Sequence, residues 1–133
     1  MKYFVALVFI GSLSVSFLAE ATPASDALFL KYKSEGANNF DIERGKKDWH
    51  KEVKGEDTVM LSCASCHGND LSKSGKHRKT NKVIEPMAAS ANPQRFTDAK
   101  KTEKWFKRNC NDIWGRDCTA QEKGDILKYL LSI

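Results

Sequence analysis

Apolar residues recur at helical spacing in several short segments, and each segment carries a signal for where a helix begins or ends. Ser25 is a residue type that caps helix N-termini, and no helix breaker follows it until Gly36. Asp41 is a second N-cap candidate, for a helix that runs to about Lys51. Gly45 lies inside that second helix, where glycine costs about 1 kcal/mol relative to alanine. Either a close approach by another helix or a tolerated surface position accounts for this glycine.

Two more helices are predicted in the C-terminal half. Thr97 and Asp98 open one that extends to about Asn109. The last helix has the clearest start, because Thr119 and Glu122 have the spacing of a capping box. Apolar residues then follow at helical spacing: Ile126, Leu127, Leu130 and Leu131. The sequence shows no strand-like alternation of any length and no internal repeat, so the predicted fold class is a small all-α domain.

The N-terminal segment has the pattern of an export signal. An apolar run from Tyr3 to Leu18 precedes Ala19-Glu20-Ala21, which fits an A-x-A cleavage site. We therefore expect a signal peptide at residues 1–21 and one mature domain at residues 22–133. A retained anchor is the alternative, but glycine and serines interrupt the run, which falls short of the roughly 20 apolar residues of a comfortable span. The expected location is an oxidising bacterial periplasm, with no stable membrane insertion after cleavage.

The stretch Cys63-Ala64-Ser65-Cys66-His67 carries the chemistry. Positions i and i+3 of a helical turn project from the same side, so both sulfurs can bond to one porphyrin. The next residue then lies beneath the iron, where an imidazole is a good axial ligand. Together with the export signal, the spacing favours one covalent haem c, anchored by Cys63 and Cys66 and ligated by His67, over a redox-active cysteine pair or half of a zinc site. The domain is thus expected to be a cytochrome c-like helical fold around one haem.

Two further cysteines, Cys110 and Cys118, are left once the haem has taken the first pair. In an exported protein such a pair most often forms a disulfide, and closing so short a loop would contribute about 2–3 kcal/mol. A four-cysteine zinc site is the alternative. The C-x₇-C spacing of the second pair fits zinc poorly.

The residues alone leave the ligand on the other face of the iron open. Met87 offers the thioether that many electron-transfer cytochromes use, although a methionine beside an apolar run usually packs in a core. Met60 lies too close to the anchor to reach the opposite face. His50 and His77 would give a bis-histidine haem, but both have polar neighbours that favour exposure. Asn109 is the fifth candidate, and by its polar context it would ordinarily be a helix-terminal surface residue.

A family resemblance decides between these ligands. It rests on the Arg-Asn-Cys-Asn stretch that begins at Arg108 and the Gly-Arg-Asp-Cys stretch that ends at Cys118. The segments 91–97 and 103–105 add to it, and the likeness runs from about residue 42 to residue 131. On these motifs the chain resembles the sphaeroides haem protein family, whose members are class I-type, asparagine-ligated monohaem cytochromes c.

The resemblance implies roles for particular residues. In that family an asparagine side chain is the sixth ligand of the oxidised haem and two cysteines bridge beside it, which places these roles on Asn109 and on Cys110 with Cys118. An amide oxygen is a hard, weak ligand that prefers ferric iron, so we expect it to leave on reduction and open a position for oxygen or nitric oxide. The resemblance also implies electron donors, a dihaem cytochrome c and a membrane cytochrome b.

The leading hypothesis is therefore a periplasmic monohaem cytochrome c that transfers single electrons and binds small diatomic ligands when reduced. A gas-binding carrier or sensor is one alternative, and a plain shuttle with Met87 on the iron is another. No distal histidine or arginine acid catalyst is evident, so an electron carrier is favoured over an oxidase or peroxidase. Weak reduction of oxygen or a nitrogen oxide is left open.

The charge balance indicates the kind of partner. The chain has a net charge of +5 at pH 7, and loss of Lys2 with Glu20 would leave it unchanged. No nucleic-acid-binding motif accompanies this charge, which favours an acidic protein or an anionic surface. Basic residues are concentrated between positions 73 and 82, in a turn-rich stretch expected to be a solvated loop at the rim of the haem. Docking and simple solubility both remain open for that loop.

Overall fold

The computed structural model describes residues 22–55 and 57–133, so the predicted signal peptide at residues 1–21 lies outside the described residues. Within those ranges the chain forms five helices: α1 (Pro23–Ser34), α2 (Ile42–Trp49), α3 (Ala64–His67), α4 (Ala99–Trp114) and α5 (Ala120–Leu131). Four two-residue strands form two antiparallel hairpins: β1 (Val53–Lys54) with β2 (Met60–Leu61), and β3 (Gly75–Lys76) with β4 (Val83–Ile84). The helical prediction holds, and the two short hairpins were not predicted because two-residue strands leave no alternation to detect.

The long helices begin at side chains that cap their free backbone N–H groups. Asp41 caps α2 and Asp98 caps α4, as predicted, each through a carboxylate oxygen that accepts a backbone N–H. The predicted helix before Gly36 is confirmed as α1, but its predicted N-cap was wrong, because the N-cap is Thr22 rather than Ser25. The Thr22 hydroxyl accepts the N–H of Ser25 at 3.2 Å, and Pro23 fits the first helical position because it has no N–H to satisfy.

Helix α4 is longer than the sequence predicts. It continues past Asn109 to Trp114 and ends where Gly115 adopts the left-handed conformation at φ 66°. The asparagines and aspartate of this segment are weak helix formers, which favoured an earlier end. Tertiary contacts override that preference, because Cys110 is buried and bonded to Cys118 just ahead of α5. The predicted loop is therefore shortened to residues 115–119.

Helices α2 and α5 approach each other at glycines. A Cβ on Gly45 would lie 2.0 Å from the carbonyl oxygen of Asp125, and a Cβ on Gly124 would lie 2.1 Å from Cε1 of Phe40. Real Cβ atoms do not tolerate such distances, so each position admits glycine only. Of the two explanations offered for Gly45, close helix packing is the one the structure supports.

A buried carboxylate lies beside this contact. Asp125 is only 1% exposed, yet its oxygens accept hydrogen bonds from Nε of Arg44 at 2.8 Å, the backbone N–H of Asp41 at 2.6 Å and the amide of Gln121 at 3.1 Å. A buried charge is tolerated when it is paired and its lone pairs are satisfied. Asp125 therefore ties the N-terminal end of α2 to the middle of α5.

Helix α1 packs against α4 and α5. Leu28 and Tyr32 are buried from it, and the Tyr32 hydroxyl donates to Glu103, which also lies 3.3 Å from Nζ of Lys123. Burial by itself would raise the pKa of Glu103, but the hydrogen bonds from Tyr32 and Lys31 and the charge of Lys123 hold that pKa below its usual value. The helices enclose one apolar cluster, whose most buried members are Leu28, Tyr32, Trp49, Leu71, Ala88, Phe96, Ile126, Leu127 and Leu130.

The start of α5 confirms the predicted capping box. The Thr119 hydroxyl accepts the N–H of Glu122 at 3.2 Å, and the Glu122 carboxylate accepts the N–H of Thr119 at 2.9 Å. Arg116 donates to both carboxylate oxygens, at 2.6 and 2.8 Å. The hydrogen bonds from Arg116 lower the pKa of Glu122 to about 2, against burial that would raise it. No helix of the described residues is long and apolar enough to cross a membrane.

Replacing Gly45 by alanine is expected to destabilise the protein. Helix propensity alone would favour alanine by about 1 kcal/mol. The added methyl meets the Asp125 carbonyl, which is backbone and must shift, so we expect a net loss of about 1–3 kcal/mol in the free energy of unfolding. Denaturant unfolding measures it, with the exposed Lys47→Ala on the same helix as a control that should stay within about 0.5 kcal/mol. A Gly45→Ala protein as stable as the parent would contradict the close contact.

Replacing Glu122 by glutamine removes the charge and keeps a capping-box side chain. Because the folded protein lowers the pKa of Glu122 from 4.5 to about 2, its stabilisation is present above pH 4.5 and is lost as the pH falls toward 2. At pH 7 the variant should be less stable by about 1 kcal/mol, after allowance for solvent screening of the partly exposed pair. The gap between the two proteins should close by about pH 2 in unfolding titrations. A gap that is constant with pH would show that the charge is not its source.

Candidate haem site

The segment from Cys63 to His67 folds as the predicted helical turn. The Cys63 carbonyl accepts the N–H of Cys66 at 3.3 Å and of His67 at 3.2 Å. Ser65 closes the start of the turn, since its hydroxyl accepts the N–H of Ser62 at 2.9 Å. The two thiols, three positions apart on this turn, are free and half-buried. The geometry suits two thioether bonds to one flat ring, with the histidine following directly.

The His67 side chain is half-buried, with its Nδ1 atom fully buried. Its ring centroid lies 5.1 Å from that of Trp49, the last residue of α2, and its Nδ1 is buried without a hydrogen-bond partner among the described residues. Burial, and then the positive charge of Arg95, lower the pKa of His67 to about 4. The ring is therefore neutral at pH 7, and neutral imidazole is the form that ligates metals.

Strand β3 lies directly against this turn at a position that only glycine can fill. A Cβ on Gly75 would lie 2.3 Å from the Cys66 carbonyl oxygen and 2.7 Å from Cα of His67. Sequence reasoning missed this contact, because a glycine within a basic, turn-rich stretch resembles an ordinary loop glycine. Sequence reasoning also missed the role of Arg95. Its Nε donates to the carbonyl oxygen of Pro86 at 2.7 Å and so holds the chain around Pro86 in place.

Asn109 lies on the inward face of α4. Phe106, Ile113 and Trp114 are three to five positions from it along the helix and, like it, are half-buried. Its side-chain amide makes no hydrogen bond within residues 22–55 and 57–133. The nearby Asn111 differs, because it is exposed and donates to the Lys107 carbonyl at 2.7 Å. Asn109 thus has an amide that is available to a ligand, while its assignment to the iron stays a prediction.

The other axial candidates differ in burial and in hydrogen bonding. Met87 is half-buried and packs against the apolar cluster, which agrees with the packing role that the sequence offered as its alternative. Met60 is 49% exposed and His50 lies exposed just after α2. His77 is engaged in a turn, where its Nδ1 accepts the N–H of Thr80 at 3.1 Å. Asn109 and Met87 are therefore the two candidates that the fold turns inward.

The second cysteine pair is bonded. Cys110 and Cys118 form a disulfide with their Cα atoms 5.6 Å apart, which confirms the predicted bridge and rules out a four-cysteine zinc site. Trp114, the last residue of α4, lies between the two bridged cysteines in the sequence. Its ring contacts two cations, because Nζ of Lys51 is 5.2 Å and Cζ of Arg116 is 5.1 Å from its centroid. These contacts tie the end of α4 to the chain that follows α2.

The residues around the turn fit a haem. Three buried ring nitrogens have no partner among the described residues: His67 Nδ1, Trp49 Nε1 and Trp114 Nε1. Half-buried apolar groups also pack against the core cluster there: Cys63, Ala64, Met87, Phe106 and Trp114. A haem combines a broad apolar ring, an iron that takes imidazole and two carboxylates that accept hydrogen bonds. The donor set and the apolar surroundings match those needs.

Known proteins are similar to this chain in sequence and in structure. A family model described as "Domain of unknown function (DUF1924)" matches residues 35–130. The cytochrome c-type protein SHP of Cereibacter sphaeroides is 41% identical over 111 residues, 84% of either chain. The structure of oxidised SHP, an oxygen-binding cytochrome c, matches with a TM-score of 0.73 at 40% identity, covering 83% of this chain and 97% of that one. The solution structure of Methylophilus methylotrophus cytochrome c'', which concerns haem-ligand detachment, matches with a TM-score of 0.69 at 36% identity, covering 82% and 93%.

These matches confirm the predicted small helical cytochrome fold, and with the attachment turn they define a c-type cytochrome. The chain belongs to the family that contains SHP and cytochrome c''. Its cofactor is haem c, covalently bound and containing iron. The residues that would hold this haem are Cys63 and Cys66 through sulfur and His67 through its imidazole.

Replacing Cys63 and Cys66 together by serine is expected to abolish covalent haem attachment, since both thioether sulfurs are removed. Intact mass of the protein from a host competent in cytochrome maturation measures it. The matched control replaces Cys110 and Cys118 by serine, which removes the disulfide and should leave the haem attached. Haem that is still covalently bound in the first variant, or lost in the second, would reverse the assignment of the two pairs.

Proposed function

We propose that this chain is a periplasmic cytochrome c that accepts and passes single electrons through a haem ligated by His67. The observation that carries the proposal is the Cys63–His67 helical turn, with two cysteines three positions apart and a neutral, half-buried imidazole against Trp49. The export pattern at residues 1–21 supports the periplasmic location.

Once bound, the haem supplies a one-electron ferric–ferrous couple and a second axial position. The protein's contribution is to hold His67 in one orientation and to keep water away from it. Trp49 packs against the imidazole and Gly75 lets strand β3 close over the backbone of the same residue. An axial ligand held in this way tunes a reduction potential through its orientation and its dry surroundings.

We assign the second axial position of the oxidised protein to the Asn109 amide. Its inward position on α4 and its lack of other hydrogen bonds support the assignment, as does the family resemblance in the Asn109–Cys110 motif. An amide oxygen binds ferrous iron weakly, so the side chain leaves on reduction and a diatomic ligand such as oxygen or nitric oxide can enter. The oxygen binding of SHP and the haem-ligand detachment studied in cytochrome c'' are consistent with this.

Release of Asn109 is a rotation of its side chain rather than a shift of α4. The helix is held just after this residue, by the Cys110–Cys118 disulfide and by the contacts of the Trp114 ring with Lys51 and Arg116. Arg116 is itself held by both carboxylate oxygens of Glu122. The backbone around Asn109 is thus fixed at several points, and the rotatable bonds of the side chain remain the free element.

Met87 supports a second candidate function, a shuttle whose iron stays six-coordinate in both states, because it too is turned inward. A gas carrier or sensor is the third, with electron transfer incidental. For the leading function we propose the donors that the resemblance implies, a dihaem cytochrome c and a membrane cytochrome b. Turnover of oxygen or a nitrogen oxide is not part of the proposal.

Replacing Asn109 by alanine is expected to convert the oxidised protein to a high-spin spectrum, because the ferric iron loses its sixth ligand. The reduced protein should bind carbon monoxide rapidly both before and after the substitution. Optical spectra in both oxidation states, with and without the gas, measure these changes.

Two controls accompany this experiment. Asn111→Ala removes an exposed asparagine two positions away and should leave the ferric spectrum unchanged. Met87→Leu should also leave it unchanged. A ferric spectrum that responds to Met87→Leu but not to Asn109→Ala, with a reduced form that ignores carbon monoxide, would replace the leading function by the methionine-ligated shuttle.

A further inference from the structure

The basic stretch between positions 73 and 82 is not the plain loop that the sequence suggested. It contains the β3–β4 hairpin, and its six-residue connection is ordered by its own hydrogen bonds. The His77 N–H donates to the Lys82 carbonyl at 2.8 Å and the Asn81 N–H donates to the His77 carbonyl at 2.9 Å. Asn81 completes the turn in the left-handed region, at φ 55°. The backbone that carries these side chains is thus held in one conformation.

The hairpin and the residues just before it carry five cations: Lys73, Lys76, Arg78, Lys79 and Lys82. Two of them have acidic neighbours, Lys73 with Asp70 at 3.1 Å and Arg78 with Asp57 at 3.9 Å. The other three are exposed, and none of them forms an ion pair within the part of the chain that the structure describes. We call Lys76, Lys79 and Lys82 the hairpin lysines.

The hairpin that carries these lysines contacts the haem-attachment turn. Strand β3 meets that turn at Gly75, where a Cβ would lie 2.3 Å from the Cys66 carbonyl oxygen. The neighbouring Lys76 is therefore one residue from a backbone contact with the haem anchor. Surface charge that serves only solubility does not require a backbone contact with the haem anchor. A protein bound at the hairpin would sit beside the residues that hold the redox centre.

We propose that the β3–β4 hairpin is the docking surface for an acidic electron-transfer protein, which the hairpin lysines attract and orient. This inference rests on the proposed electron-transfer function and names the surface that serves it. Complementary charge raises association rates by roughly 10–1,000-fold at low ionic strength, and its effect fades with salt. The chain's excess of positive charge has the sign that such a partner needs.

The test uses the haem-loaded protein and reduced flavodoxin, a small acidic flavoprotein, as the electron donor. The hairpin variant replaces Lys76, Lys79 and Lys82 by glutamine. A matched control replaces three exposed lysines of α4 by glutamine, so that both variants lose the same charge: Lys100, Lys101 and Lys104. The second-order rate of haem reduction is followed at an ionic strength of about 0.01 M, where charges act over about 30 Å, and at about 1 M, where they act over about 3 Å.

At low salt the hairpin variant should be reduced at least about 10-fold more slowly than the parent, and the control no more than about 2-fold more slowly. All three rates should converge at high salt. Amide shifts of the oxidised protein on adding oxidised flavodoxin should cluster at residues 73–82. Equal slowing of both variants would attribute the effect to net charge and overturn the proposal, as would amide shifts centred elsewhere.

Two further measurements test the proposed electron-transfer function itself and the alternative that the hairpin binds a membrane. Reduction by dithionite requires no docking, so a parent protein that dithionite cannot reduce would refute the proposed function itself rather than the hairpin. Sedimentation with vesicles containing phosphatidylglycerol tests an anionic membrane as the occupant. Hairpin-dependent vesicle binding together with unchanged flavodoxin rates would make the surface a membrane contact and overturn its assignment to a protein.

Discussion

Helix α2 lies close against α5 because Gly45 of α2 has no side chain at the point where the two backbones meet. Gly45 faces the backbone of Asp125, and Gly124 makes room for the ring of Phe40. The same contact buries Asp125, whose charge is met by Arg44 from α2. Close packing and a buried carboxylate paired with Arg44 thus fix a single relation between the two helices. Other parts of the site take their positions from this pair.

The position of the candidate axial histidine follows from that relation. Trp49 ends α2, so the crossing of α2 and α5 sets where its indole lies, and the indole packs against His67. The chain just beyond α2 also carries Lys51 to the ring of Trp114 at the end of α4. One helix therefore reaches both the attachment turn and the helix that bears Asn109. The two faces of the candidate site are held by a common element.

Much of this was predictable from local chemistry. The capping box at Thr119, the N-caps of α2 and α4, the attachment turn and the second cysteine pair all depend on residues close together in sequence. Two features that sequence reasoning missed depend on contacts between elements. Helix α4 extends through its weak helix formers because its last turns are covalently tied to the start of α5, and Gly75 matters because of a backbone eight to nine positions earlier in the chain. Neither cause is visible in a local pattern.

The separate fates of the four cysteines bear on how the chain matures. Four thiols can pair in three ways, and in an oxidising compartment all three compete. The bridged cysteines join α4 to the start of α5, and neither is bonded to the pair on the attachment turn. Forty-four positions separate Cys66 from Cys110, so the helical C-terminal unit can close its own bridge without engaging the other pair. The order of elements along the polypeptide thereby separates the two pairs, and Cys63 and Cys66 are left for the thioether bonds proposed for them.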